Sequence, residues 1–214
     1  MIVSESEKIM DKPWTLKYDP GMTETLNYPE KTLYEMLVRT ENHFPLSTAV
    51  SFEKHRISFR SLLFQVDAIA LALKELGLKR GEVATICLPN IPQAVVFLYA
   101  VNKIGVIANM VHPKTPALEL KDFMTSTRSE YLIILDAFLP KHVDMLSQIP
   151  VKDIFVASIT DYLSSGKRAA FFLAKCRKIP RIPLDMKYMT WHELKKRGFA
   201  ARYANESLAA SFRY

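Results

Sequence analysis

Short apolar runs alternate with helix-length segments through the middle of the sequence. Val83–Leu88 is almost wholly apolar and is followed by Pro89, which is typical of a strand buried on both faces. Between such runs apolar residues recur at helical spacing, most clearly over Ser61–Leu76. The alternation predicts βαβ units with right-handed crossovers. The expected fold is therefore α/β, with a mostly parallel sheet between two helical layers in a three-layer αβα arrangement.

The same pattern predicts the bounds of each element. The predicted strands are Val83–Leu88, Val106–Val111, Tyr131–Leu135 and Asp153–Ala157. The predicted helices between and before them are Ser61–Leu76, Gln93–Ile104, Ala117–Thr125 and Phe138–Ile149. Thr32 is a predicted N-cap of a helix that ends at His43, and Ser58 caps the helix that follows a hairpin of Ala49–Phe52 with Arg56–Phe59.

The chain is expected to fall into three stretches. Residues 1–31 form an irregular lead-in punctuated by prolines, residues 32–158 form the α/β scaffold, and residues 159–214 form a basic variable segment. In that last stretch we predict a basic helix over Gly166–Ile179, a short strand at Tyr188–Trp191 and a helix over His192–Arg197. No further element is predicted for Phe199–Tyr214.

Glycine is scarce, and its distribution argues against a phosphate-binding loop. Only six of 214 residues are glycine, and no two lie closer than four positions. Gly-rich phosphate loops need two or three glycines within a few residues. The segment Leu163–Lys167 resembles such a loop superficially but holds a single glycine, so we interpret it as a turn before a helix.

Metal and membrane-spanning classes are also disfavoured. Cys87 and Cys176 cannot complete a four-ligand zinc site, and the chain has no HExxH or CxxC motif, so no metal ligands are assigned. Two cysteines fit a reduced compartment better than a disulfide framework. The sequence contains no run of about 18 apolar residues, and Met1–Pro13 is polar. We therefore expect a cytoplasmic protein without a secretory signal.

Positive charge is concentrated late in the chain. Residues 1–165 carry a net charge of −2, whereas residues 166–202 carry +9. A helix there would place basic residues largely opposite an apolar stripe, which suits peripheral contact with an anionic membrane. The residues predicted to make that contact are Lys167, Arg168, Phe171, Phe172, Lys175 and Lys178. The alternative is a solvated amphipathic helix that packs its apolar face on the domain. No groove-reading or base-stacking motif is present, so nucleic acid is not an expected partner.

Two polar residues that follow predicted strands are candidate site residues. Asn90 comes after the first buried strand, at the end where open α/β sheets bind ligands, but a turn or helix-capping role is the simpler interpretation. His112 precedes Pro113 after the next strand, and it is interpreted as structural or exposed. His43, His55, His142 and His192 belong to no recognisable constellation.

The order of several short elements resembles the N-terminal region of the acyl-adenylate-forming superfamily. That superfamily contains AMP-forming acyl-CoA synthetases, luciferases and peptide-synthetase adenylation domains. The resemblance covers residues 32–157 well and 158–214 loosely. The matching pieces are Ala49–Phe52, Ile57–Leu62, Gly77 with Gly81–Val83, Leu88–Asn90 with Pro92 and Gln93, Ala100 with Lys103, Gly105 and Val106, and Val111–Pro113 with Pro116, Glu119 and Leu120. Residues 159–200 are most similar to the variable stretch of fatty acyl-CoA ligases.

The resemblance implies the fold and the chemistry of a larger enzyme. The fold would be a partial N-terminal subdomain of the adenylate-forming fold. The reaction would join a fatty or other carboxylic acid to ATP, giving an acyl-adenylate, and then transfer the acyl group to coenzyme A, with Mg²⁺ assisting. The superfamily's Ser/Thr/Gly-rich loop ending in Pro-Lys, its Thr-Glu pair, its ribose-binding Asp and its C-terminal-domain lysine do not occur in residues 1–214.

We therefore expect an N-terminal fragment that binds no cofactor and is inactive alone, with the remainder of its own polypeptide as its main partner. No catalytic residue is assigned, and no substrate-binding residue is identified. The competing hypothesis is a non-catalytic interaction or membrane-docking module of the same fold. A Pro-Lys-terminated loop encoded beyond Tyr214 would decide for the enzyme, and a stop codon would decide for the module.

Overall fold

The computed structural model describes residues 12–23, 25–163, 166 and 188–211, with side chains as far as residue 203. The chain divides into two compact units, Met1–Lys31 and Thr32–Tyr214. The first unit contains a short 3₁₀ helix at Pro13–Lys17. The second unit holds all the elements discussed below.

The second unit begins with a helix and a hairpin and continues into a regular α/β alternation. Its helices are α1 (Leu33–His43), α2 (Phe59–Glu75), α3 (Pro92–Lys103), α4 (Ala117–Ser126), α5 (Val143–Leu146) and α6 (Trp191–Ser211). Its strands are β1 (Thr48–Phe52), β2 (His55–Ser58), β3 (Val83–Cys87), β4 (Ile107–Met110), β5 (Tyr131–Leu135), β6 (Asp153–Ala157) and β7 (Tyr188–Thr190). The predicted caps are present: Thr32 forms a capping box with Glu35, and the Ser58 side chain accepts the Ser61 N–H.

The central sheet is parallel throughout, in the order β4-β3-β5-β6-β7. Strands β1 and β2 form a separate antiparallel pair whose two-residue turn places Glu53 and Lys54 at positive φ. The described strands and helices confirm the α/β fold class and the mostly parallel sheet that the sequence predicts.

The pleat of the sheet divides its side chains between two cores. On one face Ile86, Ile133 and Phe155 are buried beneath α2, α3 and α6. On the other face Leu132, Ile134 and Ile154 pack with residues of α4 and α5. Because successive strand residues point to opposite faces, a run that is apolar at every position is buried on both. This is why β5 is buried at all five of its positions.

Three helices end in the same backbone turn before the next strand begins. After α2, the N–H groups of Gly77 and Leu78 bond back to the carbonyls of Lys74 and Leu73, a Schellman motif. The equivalent bonds follow α3 at Gly105 and follow α4 at Arg128. The turn residue has φ of +98° at Gly77, +75° at Gly105 and +54° at Arg128. The left-handed conformation explains glycine at the first two positions, whereas Arg128 adopts it with a side chain.

Helix α6 differs from its prediction in length. The sequence predicts an end at Arg197 and no element after it, but the helix extends to Ser211. Gly198 lies inside it, and a Cβ added there would lie 2.1 Å from the backbone oxygen of Ala68 in α2. Gly198, which directly follows the predicted end of the helix, is therefore a site of close helix–helix approach.

Side chains also tie α6 to the elements that precede the sheet. The Asp67 carboxylate of α2 accepts hydrogen bonds from the Tyr34 hydroxyl at 2.9 Å and from Lys103 Nζ at 2.7 Å. Its other oxygen lies 3.4 Å from Arg202 Nη1 in α6. Asp67 thus links four helices, α1, α2, α3 and α6.

The prediction of one continuous helix over Phe138–Ile149 is wrong. The segment forms a 3₁₀ turn at Leu139–Lys141 followed by the four-residue helix α5. His142 separates them with φ of −114°, and its buried ring is held between the carbonyl oxygens of Phe138 and Thr115. These bonds fix the ring to the loop before α4, and the backbone bends to allow it.

Candidate functional site

The order of the strands creates a crevice at one end of the sheet. The chain moves from β3 to β4 on one side and then crosses to β5 on the other side of β3. In open α/β sheets ligands bind at such a reversal, outside the carboxyl ends of the strands. The segments that follow β3, β4, β5 and β6 meet there, and we call this the carboxyl edge. The opposite end, where the strands begin, is the amino edge.

Asn90 lies exposed at the carboxyl edge, but it does not cap the next helix. The N-cap of α3 is Ile91, which offers no side-chain acceptor, and Pro92 occupies the first turn. The helix-capping interpretation of Asn90 is therefore wrong. Because Pro92 has no N–H, the helix start has one fewer donor to satisfy.

His112 has a structural role in the turn after β4. Its Nδ1 accepts the Lys114 N–H at 3.2 Å, and its carbonyl oxygen lies 3.6 Å from Cys87 Sγ. His112 itself is exposed. Burial raises the pKa of the Cys87 thiol to about 11, so Cys87 is not a nucleophile at neutral pH.

A buried polar network joins the start of α3 to the turn after β6. Gln93, which is fully buried, donates from Nε2 to the Ser158 carbonyl at 2.8 Å and to Asp161 Oδ2 at 3.1 Å. Asp161 also accepts the Ser158 N–H at 3.1 Å. Burial raises the pKa of the Asp161 carboxyl, although these two donors act against the shift. Gln93 Oε1 has no hydrogen-bond partner among the described residues.

Beside this network an open cleft of about 650 Å³ lies between the β1–β2 turn, α2 and α6. Tyr162 forms part of its wall and donates its hydroxyl hydrogen to Gln65 Oε1 at 2.6 Å. Burial holds the pKa of Tyr162 well above its usual value. The His55 ring packs against Tyr162, with 5.7 Å between ring centroids. The cleft thus has an aromatic wall at Tyr162 and His55, and charged residues such as Lys54 and Lys195 also line it.

The sequence did not identify the residues that organise this edge. In the sequence, Gln93 matches only a position of the family pattern, and no site role is predicted for Asp161 or Tyr162. One signal was available for Ser158 and Asp161, which have the spacing of a capping box and form one in the structure. The Gln93–Asp161 contact joins positions 68 residues apart and has no local signature.

The predicted membrane-contact residues lie outside the part of the chain that the structure describes. This applies to Lys167, Arg168, Phe171, Phe172, Lys175 and Lys178, and equally to Ser164 and Ser165 of the loop-like segment. Among the described helices, none combines the length and apolarity needed to cross a membrane.

The metal-ligating side chains of the described residues are dispersed. Nowhere in that part of the chain do three or more His, Cys, Asp or Glu side chains come together as ligands would. Asp136 and Asp161 both lie at the carboxyl edge, but Asp161 is bonded to Ser158 and Gln93. No reaction step through Mg²⁺ is therefore assigned to these residues.

These features define an α/β protein whose polar residues gather at the reversal of a parallel sheet. The family model for AMP-binding enzymes matches residues 37–171, which include β3 to β6 and the segments after them. The chain therefore belongs to the AMP-binding enzyme family, and the resemblance predicted from the sequence is confirmed.

Individual relatives agree with this assignment. The chain is 30% identical over 168 residues to a long-chain-fatty-acid–CoA ligase of Bacillus subtilis, which covers 78% of this chain and 30% of the relative. It is 40% identical over 80 residues to acetyl-coenzyme A synthetase 2 of Saccharomyces cerevisiae, covering 37% of this chain and 12% of the relative. The chain thus spans less than a third of the length of these relatives.

Solved structures share the fold. A long-chain-fatty-acid–CoA ligase from Archaeoglobus fulgidus matches with a TM-score of 0.60 and 21% identity, over 65% of this chain and 30% of that one. Coronafacic acid ligase from Pectobacterium brasiliense matches with a TM-score of 0.63 and 20% identity, over 78% of this chain and 29% of that one. At these identities the likeness concerns the fold alone.

Proposed function

We propose that this chain is the N-terminal scaffold of an AMP-forming acyl-CoA synthetase. The observation that carries the proposal is the extent of the family match, residues 37–171, which contains the strand ends after β3 to β6. The match therefore includes the part of the sheet where ligands of open α/β folds bind. The long-chain ligase of Bacillus subtilis, 30% identical, favours a fatty acid as the carboxylic acid substrate.

The proposed reaction has two steps. A substrate carboxylate oxygen attacks the α-phosphorus of ATP, and pyrophosphate leaves as the acyl-adenylate forms. The thiol of coenzyme A then attacks the acyl carbonyl, AMP leaves, and a thioester remains. Both steps need positioned donors for the developing phosphoryl and carbonyl charge, and Mg²⁺ would neutralise the phosphates.

Residues 1–214 contribute to this reaction as a scaffold. The superfamily's phosphate loop and catalytic lysine do not occur in them, and the described residues hold no metal cluster. We propose that they supply one wall of the acyl and nucleotide site through the carboxyl edge, with the remainder of the enzyme as partner. The 214-residue chain alone should therefore not turn over.

A cytoplasmic location with peripheral membrane contact is part of the same proposal. The net charge of +9 on residues 166–202 supports it, and a fatty acid substrate partitions into membranes. The residues that would make the contact remain those predicted from the sequence, led by Lys167, Arg168 and Phe171.

A chimera with the Bacillus subtilis ligase tests the proposal. The aligned 168 residues of this chain would replace their counterparts in that enzyme, and pyrophosphate release would be measured with ATP, Mg²⁺, coenzyme A and fatty acids of increasing length. We expect fatty-acid-dependent release from the chimera and none from the 214-residue chain or from the ligase lacking the segment. A chimera that folds, as judged by circular dichroism, but releases no pyrophosphate would contradict the scaffold role. Turnover by the chain alone would contradict its predicted inactivity.

A further inference from the structure

A second open groove of about 650 Å³ lies at the amino edge, away from the crevice. It is bounded by the end of α2, the turn that follows it and the end of α3. Leu71, Leu78 and Ile104 provide an apolar floor. The strand β3, which separates this edge from the carboxyl edge, has five residues and spans about 17 Å. The groove is therefore separate from the proposed reaction site.

Every charged side chain that lines the groove is a cation. They are Lys74, Lys79, Arg80 and Lys103. Lys103 is neutralised by Asp67, with 2.7 Å between Nζ and Oδ1. The other three cations form no ion pair with a carboxylate in the described part of the chain. Three exposed positive charges therefore surround an apolar floor without a counter-charge.

The negative dipole ends of α2 and α3 offset only part of this positive charge. A helix C-terminus carries about half a negative charge, so the two helices together contribute about −1. Their last carbonyls are also engaged by the Schellman turns at Gly77 and Gly105. The neighbouring carboxylates are already engaged. Glu82 accepts the Lys79 backbone N–H at 2.8 Å and contacts Lys152, and Glu75 lies 3.2 Å from Arg197 Nε. The groove therefore keeps a positive excess.

We propose that this groove binds an anionic amphiphile with a single alkyl chain. The anionic head would contact Lys74, Lys79 and Arg80 at the rim, and the alkyl chain would cover Leu71, Leu78 and Ile104. The volume falls in the range of about 300–1,000 Å³ usual for small-molecule sites, and it is larger than an inorganic anion requires. The shared chemistry is a carboxylate or a phosphate monoester on an alkyl chain.

Calorimetric titration of the full chain with four probes tests this site. Dodecanoate and dodecyl phosphate, both below their micellar concentrations, should bind saturably and show which head group is preferred. Dodecyl maltoside lacks the charge and inorganic phosphate lacks the chain, so neither should bind comparably. If inorganic phosphate binds as tightly as dodecyl phosphate, or dodecyl maltoside as tightly as dodecanoate, the proposal is overturned.

Charge reversal identifies the site. The triple variant Lys74→Glu, Lys79→Glu, Arg80→Glu should bind dodecyl phosphate at least tenfold more weakly. The control Arg39→Glu, Lys141→Glu, Lys196→Glu changes net charge equally at exposed positions and should bind as the unaltered chain does. If the reversed triple unfolds, the neutral triple of glutamines should still show weakened binding. Unchanged affinity in the folded triple overturns the proposal. Because these experiments measure binding, their outcome for the groove does not depend on whether the chimera releases pyrophosphate.

Discussion

The two edges of the parallel sheet are built in different ways. At the amino edge, α2, α3 and α4 each end in the same backbone turn, which requires only a residue that tolerates positive φ. At the carboxyl edge, the segments after β3 and β6 are joined by the side chains of Gln93 and Asp161. The helix-ending turns of the amino edge should therefore tolerate changes of side chain, while the link at the carboxyl edge depends on particular chemical groups. That contrast is what we expect if the proposed reaction site lies at the carboxyl edge.

The largest effect is expected at the carboxyl edge, from Gln93→Ala. The change removes the donors of a fully buried side chain to the Ser158 carbonyl and to Asp161, and it leaves both half-buried acceptors with one partner fewer. Loss of a buried partner costs about 1–3 kcal/mol, so we expect the free energy of unfolding to fall by about 2 kcal/mol. Urea denaturation monitored by circular dichroism measures it.

Gln148→Ala provides the control for that variant. Gln148 is exposed and accepts a hydrogen bond from Lys121 Nζ at 2.9 Å, so its loss should change stability by less than about 0.5 kcal/mol. Equal effects of the two substitutions would remove the distinction between a buried network and a surface contact.

Smaller changes in the free energy of unfolding are expected at the amino edge, where one substitution should destabilise the protein and another should stabilise it. Gly77→Ala adds a methyl group where no atom lies within 4 Å, so its cost is backbone strain at φ of +98°, about 1 kcal/mol. Arg128→Gly relieves strain at the equivalent turn and should raise the free energy of unfolding by about 0.5 kcal/mol. Thermal and urea unfolding of both variants measure these changes. Destabilisation by Arg128→Gly would show that its side chain, and not the turn geometry, stabilises that edge.

The smallest effect is expected in how the free energy of unfolding depends on pH. The pKa of Asp161 is raised by burial above its ordinary 3.8, so folding favours its protonated form. The resulting stabilisation is present below the ordinary pKa and is lost as pH rises through the raised value. Between those two values the free energy of unfolding should decline more in the unaltered chain than in Asp161→Asn. The effect is small because hydrogen bonds from Ser158 and Gln93 oppose the shift. If the free energy of unfolding changes equally with pH in the unaltered chain and in Asp161→Asn, the prediction is contradicted.

The fold was largely predictable because its signals are local. Tyr131–Leu135 is apolar at every position and forms β5 with the predicted bounds. Thr32 and Ser58 cap helices through bonds to residues three positions away. The exceptions involve distant contacts. The helix predicted at Phe138–Ile149 is interrupted where His142 bonds to Thr115, 27 residues earlier.

The candidate site was less predictable for the same physical reason. Asn90 has the residue type of an N-cap, but the backbone assigns that position to Ile91. Tyr162 and Gln65 form a hydrogen bond across 97 residues of sequence. Periodicity and turn chemistry describe neighbours along the chain, so they do not report pairs that only tertiary packing brings together.

The link between Asp67 and Arg202 has a consequence for how the protein is made. The two residues are 135 positions apart, and ribosomes add about 5–20 residues per second, so roughly 7–27 s separate their synthesis. During that interval α2 has emerged, but the helix that covers Ala68 and Phe64 has not. The apolar face of α2 at Phe64 and Ala68 therefore stays uncovered in the nascent chain until α6 has been made.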